Sequence, residues 1–574
     1  MTVLLDLTMA RTLDVWVDEL LARPRSDGVV EAWLFEGTAA RRAAEARLAE
    51  AGIEARFFSA YKPLVFHFLE QVEMQGLRRV KVAYPLHASA PARRFSLEAY
   101  PLADLLADIA FELLPQAAPS DQLFYEVELE WQDGSRRQDR VFAPNRVHRD
   151  AIGETQLSPT AWLDGQARDC DYAQVFERAM TCVMQFPWPA TEPYFERLDL
   201  RIDMPGIHHA PVQETGWIDS HEALHEDLYF SLLEVFQQRS GRPTGDRRLQ
   251  PGQIVPDVRG SEDGSVRLRV AAVPYPVPEP EPDVDDGTPL EATAAALPAG
   301  RVASLLAAFE GERFEATSRQ GRAVRGVYRR GSATPVLISG GQHANETSGV
   351  VGALRAAQVL AAQPGSHFAL IPLENPDGYA LQRELCRQGP RHMQHAARYT
   401  AMGDDLEYRD QPPFYEREAR HQALALSGAP LHINLHGYPA HEWTRPLSGY
   451  IPRGFDLWTV PKGFFLVVRH HAGWGERARA LTEAVCLALT EVPGLPAFNE
   501  RQRAAYRTHA GELGFEIIHG TACTVSEVNR PGAPITLVTE FPDETVYGEP
   551  FRLAHETQTA TVLAAVRALQ DLKL

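Results

Sequence analysis

The sequence Pro335-Val-Leu-Ile-Ser-Gly-Gly-Gln-His-Ala-Asn-Glu346-Thr-Ser-Gly349 decides how the C-terminal half of this chain is interpreted. Its β-branched apolar run ends at Gly340-Gly341, and the Ala-rich amphipathic run Val350 to Ala362 follows, which predicts a strand, a tight turn and a helix. His343 and Glu346 lie in the predicted turn. An imidazole and a carboxylate so spaced after a strand can face one point, as the ligands of a zinc ion do. By themselves they are equally consistent with a polar loop.

Three later apolar runs also end in polar residues, and they cover residues 367–379, 431–437 and 535–542. The first runs into Glu374-Asn-Pro-Asp-Gly-Tyr379, which indicates a turn. The second places His436 directly before a glycine, and the third places Glu540 shortly before a proline that stops the strand. Ligands of open parallel sheets bind outside the carboxyl ends of the strands. We therefore expect His436 and Glu540 to form one site with His343 and Glu346.

The order of these motifs resembles the zinc carboxypeptidase family, in its carboxypeptidase A-like form. The order is His-x-x-Glu, Asn-Pro-Asp-Gly, a strand ending in His-Gly and a strand carrying Glu, and it covers roughly residues 301–574. The resemblance implies an α/β catalytic domain with a mixed sheet flanked by helices. It also implies Zn²⁺ held by His343, Glu346 and His436, with a position open for water and Glu540 as general base. The chemistry agrees, because two His and one carboxylate with an open position form a catalytic zinc site.

A further family motif can be placed by spacing. Short bacterial members carry an Arg, four residues and then Gly-Val-Asp-Leu-Asn-Arg, and residues 398–409 here read Arg-Tyr-Thr-Ala-Met-Gly-Asp-Asp-Leu-Glu-Tyr-Arg. The match implies that Arg398 polarises the scissile carbonyl and steadies its oxyanion. The Asn-Arg pair that holds a substrate's terminal carboxylate is replaced by Glu407-Tyr408, and Arg409 could compensate only if the loop slips. Because Glu407 would repel a carboxylate, we expect altered recognition that favours a neutral or cationic substrate end.

Other polar residues are candidates for the same site. Asn375 begins the Asn-Pro-Asp-Gly turn and is predicted to shape the substrate pocket beside the metal. His432 lies on the same strand face as His436, because strand side chains repeat every two residues, and is an alternative ligand. The family's late tyrosine is not evident, and His519 is a weak substitute. Isolated histidines, among them His395, are interpreted as ordinary residues. The remaining alternatives are His441-Glu442 as neighbours of the ligands, and Arg383, Arg387 and Arg391 in place of Arg398.

Composition limits the class of protein and its partners. The chain has 574 residues, 44% of them hydrophobic and 23% charged, which is typical of a globular protein with two or three domains. Its net charge of -19 disfavours nucleic acid or an anionic membrane as partner, so we expect a peptide or small amide substrate. The cysteines are scattered, which indicates reduced thiols. With no leader pattern and no long apolar run, the sequence predicts a cytoplasmic protein.

The N-terminal half matches no family known to us. Strand-like and helical runs alternate over residues 31–85, and residues 124–142 read as a hairpin with its turn at Asp133-Gly134. We expect an α/β plus β-rich region over residues 1–272, and its division into two subdomains near residue 118 is an alternative. Alternating prolines and acids predict a linker over 273–300, and the catalytic domain would span 301–574.

One N-terminal stretch also has a metal-binding pattern. His221-Glu222-Ala-Leu-His225 places two histidines on one helix face, which can bind zinc with the glutamate as base. The pattern opens its helix, however, with Asp219 or Ser220 as N-cap, and Glu222 and Glu226 suit the positive helix end. We predict a structural first turn, and a second metal site is the alternative.

These observations predict a zinc-dependent hydrolase of a peptide, amide or acyl-amino-acid bond. It would resemble a metallocarboxypeptidase with altered carboxylate recognition. One alternative is a non-catalytic binding or scaffold protein that keeps the fold. Another is an enzyme whose main site lies in the N-terminal half.

Overall fold

The computed structural model describes residues 1–22, 28–117, 122–212, 216–261, 263–278 and 287–572. Helices and strands alternate along these residues and build several sheets, the largest of them mixed. The predicted α/β class is therefore confirmed. The split near residue 118 and residues 279–286 of the predicted linker lie outside the described residues.

The N-terminal part, up to residue 278, contains small sheets and the helices between them. Its strands are β1 (Thr2–Met9), β2 (Val30–Leu34), β3 (Ala55–Ser59), β4 (Leu77–Leu86), β5 (Ala110–Ala117), β6 (Leu123–Trp131), β7 (Arg136–Ala143), β8 (Asn145–Arg149), β9 (Thr155–Pro159), β10 (Ala161–Leu163), β11 (Gln166–Arg168), β12 (Arg197–Met204), β13 (His208–His209), β14 (Ile218–Asp219), β15 (Gln253–Gly260) and β16 (Val266–Val273). Its helices are α1 (Thr12–Ala22), α2 (Thr38–Glu50), α3 (Pro63–Gln71), α4 (Arg94–Glu98), α5 (Leu102–Leu105), α6 (Asp171–Gln185) and α7 (Ser220–Ser240).

The strand orders of the N-terminal part are β1-β16-β12-β15, β11-β10-β2-β3, β5-β4-β6-β7, β8-β9 and β13-β14. The predicted hairpin is confirmed, because β6 and β7 pair antiparallel with Phe124 opposite Phe142. Gly134 has a φ of +85° in the connecting turn, a conformation that glycine adopts without side-chain strain.

The C-terminal part is built on one nine-stranded sheet in the described residues, with the order β17-β18-β20-β19-β21-β25-β22-β24-β23. Its strands are β17 (Glu312–Thr317), β18 (Ala323–Arg329), β19 (Val336–Gly340), β20 (Phe368–Ile371), β21 (Leu431–Pro439), β22 (Phe465–His470), β23 (Glu516–Ile518), β24 (Thr521–Glu527) and β25 (Ile535–Glu544). Its helices are α8 (Ala299–Ala307), α9 (Ser348–Ala361), α10 (Pro376–Leu385), α11 (Arg417–Ser427), α12 (Gly475–Leu489), α13 (Leu495–Ala510) and α14 (Glu549–Asp571).

Helices cover both faces of this sheet. Along β19, Val336 and Ile338 belong to the core that contains α9 and α14, whereas Leu337 packs with Ala419 and Ala423 of α11. Alternate residues of a strand point to opposite faces, so α9 and α11 lie on opposite sides of the sheet. A strand buried on both faces is apolar without alternation, which explains the continuous apolar run in the sequence.

The N-terminal and C-terminal parts share an apolar core. Met393, Trp443 and Phe465 of the C-terminal part belong to the buried cluster formed by the N-terminal helices and strands. The domain division expected from the sequence remains a prediction. None of the helices in the described residues is both long and apolar enough to cross a membrane, and the cytoplasmic location also remains a prediction.

Candidate active site

The end of β19 and the start of α9 form the first part of the site. A Cβ on Gly340 would lie 2.9 Å from the carbonyl oxygen of Gly349, so any side chain here would collide with the backbone of α9. Gly341 has a φ of +64°, which glycine adopts without strain. The two glycines therefore let the chain turn sharply into α9 and leave His343 and Glu346 together at the strand end.

His343, Glu346 and His436 lie in mutual contact, as expected from the strand ends. Nδ1 of His343 lies 2.8 Å from Oε1 of Glu346, and Nδ1 of His436 lies 2.9 Å from Oε2. The two Nδ1 atoms are 3.1 Å apart. Ligand atoms around a tetrahedral zinc lie about 3.3 Å apart, given metal–ligand bonds of about 2.0–2.1 Å. The three buried side chains therefore fit a zinc ion in chemical type and in spacing.

The second ring nitrogen of His343 faces a carboxylate. Nε2 lies 3.5 Å from Oδ1 of Asp405, which also accepts a hydrogen bond from the side chain of Gln342 at 3.2 Å. Burial opposes ionisation of Asp405, but His343 and Arg247 outweigh it and hold the pKa of Asp405 well below its ordinary value. Histidines that bind zinc commonly donate their other N–H to a carboxylate in this way, which fixes the ring orientation.

Arg398 lies beside the carboxylate of Glu346. Its Nη1 donates to Oε1 at 2.6 Å. Burial would raise the pKa of Glu346, but His343, Arg398 and His436 together hold that pKa well below its ordinary value. Nε of Arg398 has no hydrogen-bond partner in the described part of the chain, so this guanidinium keeps a donor free.

Glu540 lies across from the ligands. It pairs in register with His436, because β21 and β25 are neighbouring parallel strands. Burial raises the pKa of Glu540 well above its ordinary value, the charge of Glu346 adds to this, and Arg398 and Lys462 act in the opposite direction. A raised pKa makes the ionised form of a carboxyl group a stronger base.

His343, His436, Arg398 and Glu540 line one cleft. Its wall is formed by Phe230, Arg247, Gln342, His343, His395, Arg398, Asp405, Glu407, Tyr408, Asn434, His436, Tyr438, Pro439, Trp443, Phe455, Trp458, Val467, Arg469, Thr536, Val538 and Glu540. Phe230 and Arg247 come from the N-terminal part and were not identified from the sequence. An aromatic residue on a buried helix and an arginine in a loop carry no signal in their type or spacing.

The pair Glu407-Tyr408 lines the cleft. Arg420 donates to Oε2 of Glu407 at 2.7 Å, and Arg469 and Arg530 each lie 3.7 Å from Oε1. Burial would raise the pKa of Glu407, but Arg420 and the other arginines lower it below its ordinary value. The carboxylate is charged but surrounded by cations, which offsets the repulsion of a substrate carboxylate expected from the sequence.

Arg409 and Asn375 lie outside the described wall of the cleft. Arg409 is buried, with its guanidinium 2.6 Å from Oδ1 of Asp404 and 2.6 Å from Oε2 of Glu416. Asn375 caps α10, where its side chain accepts the N–H of Gly378 at 2.9 Å. Both residues are thus engaged in contacts that shape the loops around the site.

The alternative histidines lie in other environments. Nε2 of His432 contacts Oγ of Ser339 at 2.8 Å, and this side chain is not part of the three-residue group. His519 is exposed in the turn between β23 and β24. Nε2 of His441 lies 2.7 Å from Oε2 of Glu222, so this ring faces the N-terminal part.

The His-Glu-x-x-His stretch forms the start of α7, as expected. Asp219 is the N-cap, and its carboxylate accepts the backbone N–H groups of His221 and Glu222. The turn is buried against the C-terminal part, where Nε2 of His225 lies 3.4 Å from the backbone nitrogen of Ala396. Its polar atoms therefore contact several different elements.

A second group of possible ligands lies at this helix start. His208, Asp219 and His221 have ligand atoms within 4.8 Å of one another. Oδ2 of Asp219 also contacts Nε2 of His392 at 3.0 Å. Burial lowers the pKa of His392, but Asp219 and its acidic neighbours outweigh it and raise the pKa to about 9. The Asp219 carboxylate thus has a cationic partner from the protein itself.

Comparisons with known proteins give only weak likenesses. No family model and no curated protein sequence matches the chain. The structure is similar to a metallo-carboxypeptidase from Burkholderia cenocepacia (15% identity, 54% of this chain and 77% of that chain, TM-score 0.29). It is also similar to murein-tripeptide amidase from Escherichia coli O157 (15%, 46% and 95%, TM-score 0.23) and to succinylglutamatedesuccinylase/aspartoacylase from Rhodobacter sphaeroides (15%, 45% and 65%, TM-score 0.24). These likenesses carry no conclusion about function, which depends on the side chains of the site.

Proposed function

We propose that this chain is a zinc-dependent hydrolase of a peptide, amide or acyl-amino-acid bond. The convergence of His343, Glu346 and His436 at 2.8–3.1 Å, with Glu540 on the neighbouring strand, carries this proposal. Two imidazoles and one carboxylate leave a coordination position for a reactant, and a buried carboxyl group beside them supplies a base.

His343, Glu346 and His436 would hold the zinc ion, which when bound polarises a carbonyl group and makes water a better nucleophile. Glu540 accepts a proton from the attacking water and delivers it to the leaving amine nitrogen. Arg398 lines the cleft and donates to the carbonyl oxygen as negative charge develops there.

The charge around Glu407 supports a substrate with an acidic group. Among the described residues, four arginines contact the carboxylates of Asp405 and Glu407, and they are Arg247, Arg420, Arg469 and Arg530. Arg247 and Arg469 line the cleft, and their closest carboxylate contacts are long, at 3.5 and 3.7 Å. Their remaining donors suit a carboxylate. We therefore favour acyl-amino acids or peptides with a free terminal carboxylate.

The test uses the full chain loaded with zinc and a series of peptides and N-acyl amino acids. Glu540→Gln should keep zinc and lose about 100- to 10,000-fold in kcat, because the amide cannot accept the proton of water. Glu527→Gln is the control, since Glu527 is exposed at the end of β24 in the same sheet and lies outside the cleft wall. It should keep both zinc and turnover. A parent that binds no zinc, or a Glu540→Gln variant with near-parental turnover, would contradict the proposal.

A further inference from the structure

His395 and Glu226 form a buried pair between the two parts of the chain, at the edge of the cleft. Oε2 of Glu226 lies 2.6 Å from Nδ1 of His395, and Oε1 accepts the backbone N–H of the same residue at 3.3 Å. The two side chains are 1% and 2% exposed. One carboxylate from α7 therefore fixes both the backbone and the ring of a residue that lines the cleft.

Two aromatic side chains hold the plane of this imidazole. The ring of Trp443 lies 4.4 Å from it at an interplanar angle of 38°, and the ring of Phe230 lies 5.5 Å away at 72°. Because Nδ1 contacts Glu226 and the ring packs against two aromatic side chains, the position of Nε2 is determined as well.

Nε2 of His395 lies towards the proposed catalytic arginine. It is 3.6 Å from Oε2 of Glu544, and Oε1 of that residue is 3.7 Å from Nη1 of Arg398. Among the described residues, no hydrogen bond occupies Nε2, so it can interact with a substrate in the cleft. The proposed oxyanion position and this nitrogen therefore belong to the same end of the cleft.

The negative charge of Glu226 bears on whether Nε2 of His395 can donate a hydrogen bond. Burial would raise the pKa of Glu226, but His395 and His225 outweigh it and lower the pKa below its ordinary value. The carboxylate occupies Nδ1, so a second proton on the ring would be carried by Nε2. A protonated imidazole has a second donor at Nε2.

We propose that His395 is a catalytic residue that donates a hydrogen bond from Nε2 to the carbonyl oxygen of the substrate, and that Glu226 positions it. No proton is transferred in this step. The hydrogen bond stabilises the negative charge that develops on the oxygen, beside the donor of Arg398. The inference rests on the proposed hydrolase function. It gives the N-terminal part a role, because the active site is incomplete without α7.

The same helix contains a matched pair that provides the control. One turn before Glu226, Oε2 of Glu222 lies 2.7 Å from Nε2 of His441, and both side chains are buried. The two pairs share the helix, the burial and the type of contact. They differ at the cleft, because His395 lines it and His441 does not.

The experiment compares variants of the full zinc-loaded chain on the substrate that the parent hydrolyses best. His395→Ala should lower kcat by about 100- to 1,000-fold with a smaller change in KM, as expected for one lost oxyanion donor. Glu226→Gln should lower kcat about tenfold and move the alkaline limb of the pH profile to lower pH, because the amide no longer stabilises the protonated ring. Zinc content should equal that of the parent in both.

The control is Glu222→Gln, which should destabilise the fold but leave the pH profile of kcat unchanged. If His395→Ala does not fold, the pH profile of Glu226→Gln decides the question. Parental kcat and pH profile in these variants, while Glu540→Gln is inactive, would overturn this inference and leave the hydrolase function standing. A parent that binds no zinc or hydrolyses nothing would overturn both.

Discussion

The chain contains two His/Glu patterns with similar spacing and different outcomes. His343-x-x-Glu346 follows a strand, and His436 from a neighbouring strand completes a group with contacts of 2.8–3.1 Å. His221-Glu222-x-x-His225 starts a helix, and its polar atoms contact several different elements. Residue type and spacing are alike, so the difference lies in whether side chains converge on one point.

The sheet explains this convergence. β19, β21 and β25 are adjacent and parallel, so their carboxyl ends lie at one edge and deliver side chains from distant parts of the chain. A single buried helix turn instead spreads its polar groups around its circumference. A metal site built on such a turn needs further ligands that close over it.

The largest expected effect is loss of metal from the first pattern. His343→Ala and His436→Ala should each lose stoichiometric zinc, because each removes one of three protein ligands. Elemental analysis of the purified chains measures this. His432→Ala is the matched control, since His432 is buried on the same strand face but contacts Ser339. Full zinc in both ligand variants would show that the first pattern does not bind the metal. Loss of zinc from His432→Ala alone would show that His432 is a ligand.

A smaller effect is expected at the arginines of the cleft. The parent should prefer a free carboxylate over the matching amide, and Arg247→Gln or Arg469→Gln should reduce that preference about tenfold, since charge-assisted hydrogen bonds contribute about 1.5–3 kcal/mol. The ratio of kcat/KM on paired substrates measures it. Arg248→Gln is the control, because Arg248 neighbours Arg247 in sequence but lies outside the cleft wall. A parent that prefers the amide would instead support the prediction from the sequence that Glu407 repels a substrate carboxylate.

The smallest effect concerns stability at the second pattern. The pKa of His392 is raised from 6.5 to about 9 because Asp219, Glu222 and Glu226 outweigh the effect of burial. A raised pKa in the folded state gives stability that is complete below about pH 6.5 and lost as the pH rises towards about 9. The unfolding free energy of the parent should therefore exceed that of His392→Gln by up to about 3 kcal/mol at low pH, and the difference should shrink over this window.

Urea unfolding across that pH range measures the difference, and zinc content should be unchanged in His392→Gln. A difference that stays constant or grows with pH would contradict the ion pair with Asp219. Two zinc ions in the parent, with one lost in His208→Ala or His221→Ala, would instead show that the helix start is a second metal site.

The parts of this protein that sequence predicts are those with local signals. The apolar runs of β19, β21 and β25 are recognisable because strands buried on both faces need apolar residues throughout. The sequence therefore predicted that His343, Glu346, His436 and Glu540 lie near one another. In the structure the first three are in contact and Glu540 pairs with His436 on the neighbouring strand. The α7 N-cap was also recognisable, because an Asp before a helix satisfies N–H groups that have no other partner.

Sequence alone determined the strand–turn–helix unit, the mixed α/β class and the residues brought to one sheet edge, since these follow from periodicity and local backbone preferences. Tertiary structure decided the rest. Phe230, Arg247 and His395 enter the cleft through packing between distant parts of the chain, which their type and spacing do not encode. Likewise, the sequence predicts that Glu407 repels a substrate carboxylate, whereas in the fold three arginines surround Glu407 and offset its charge. Electrostatic energy depends on distances that only the folded chain sets.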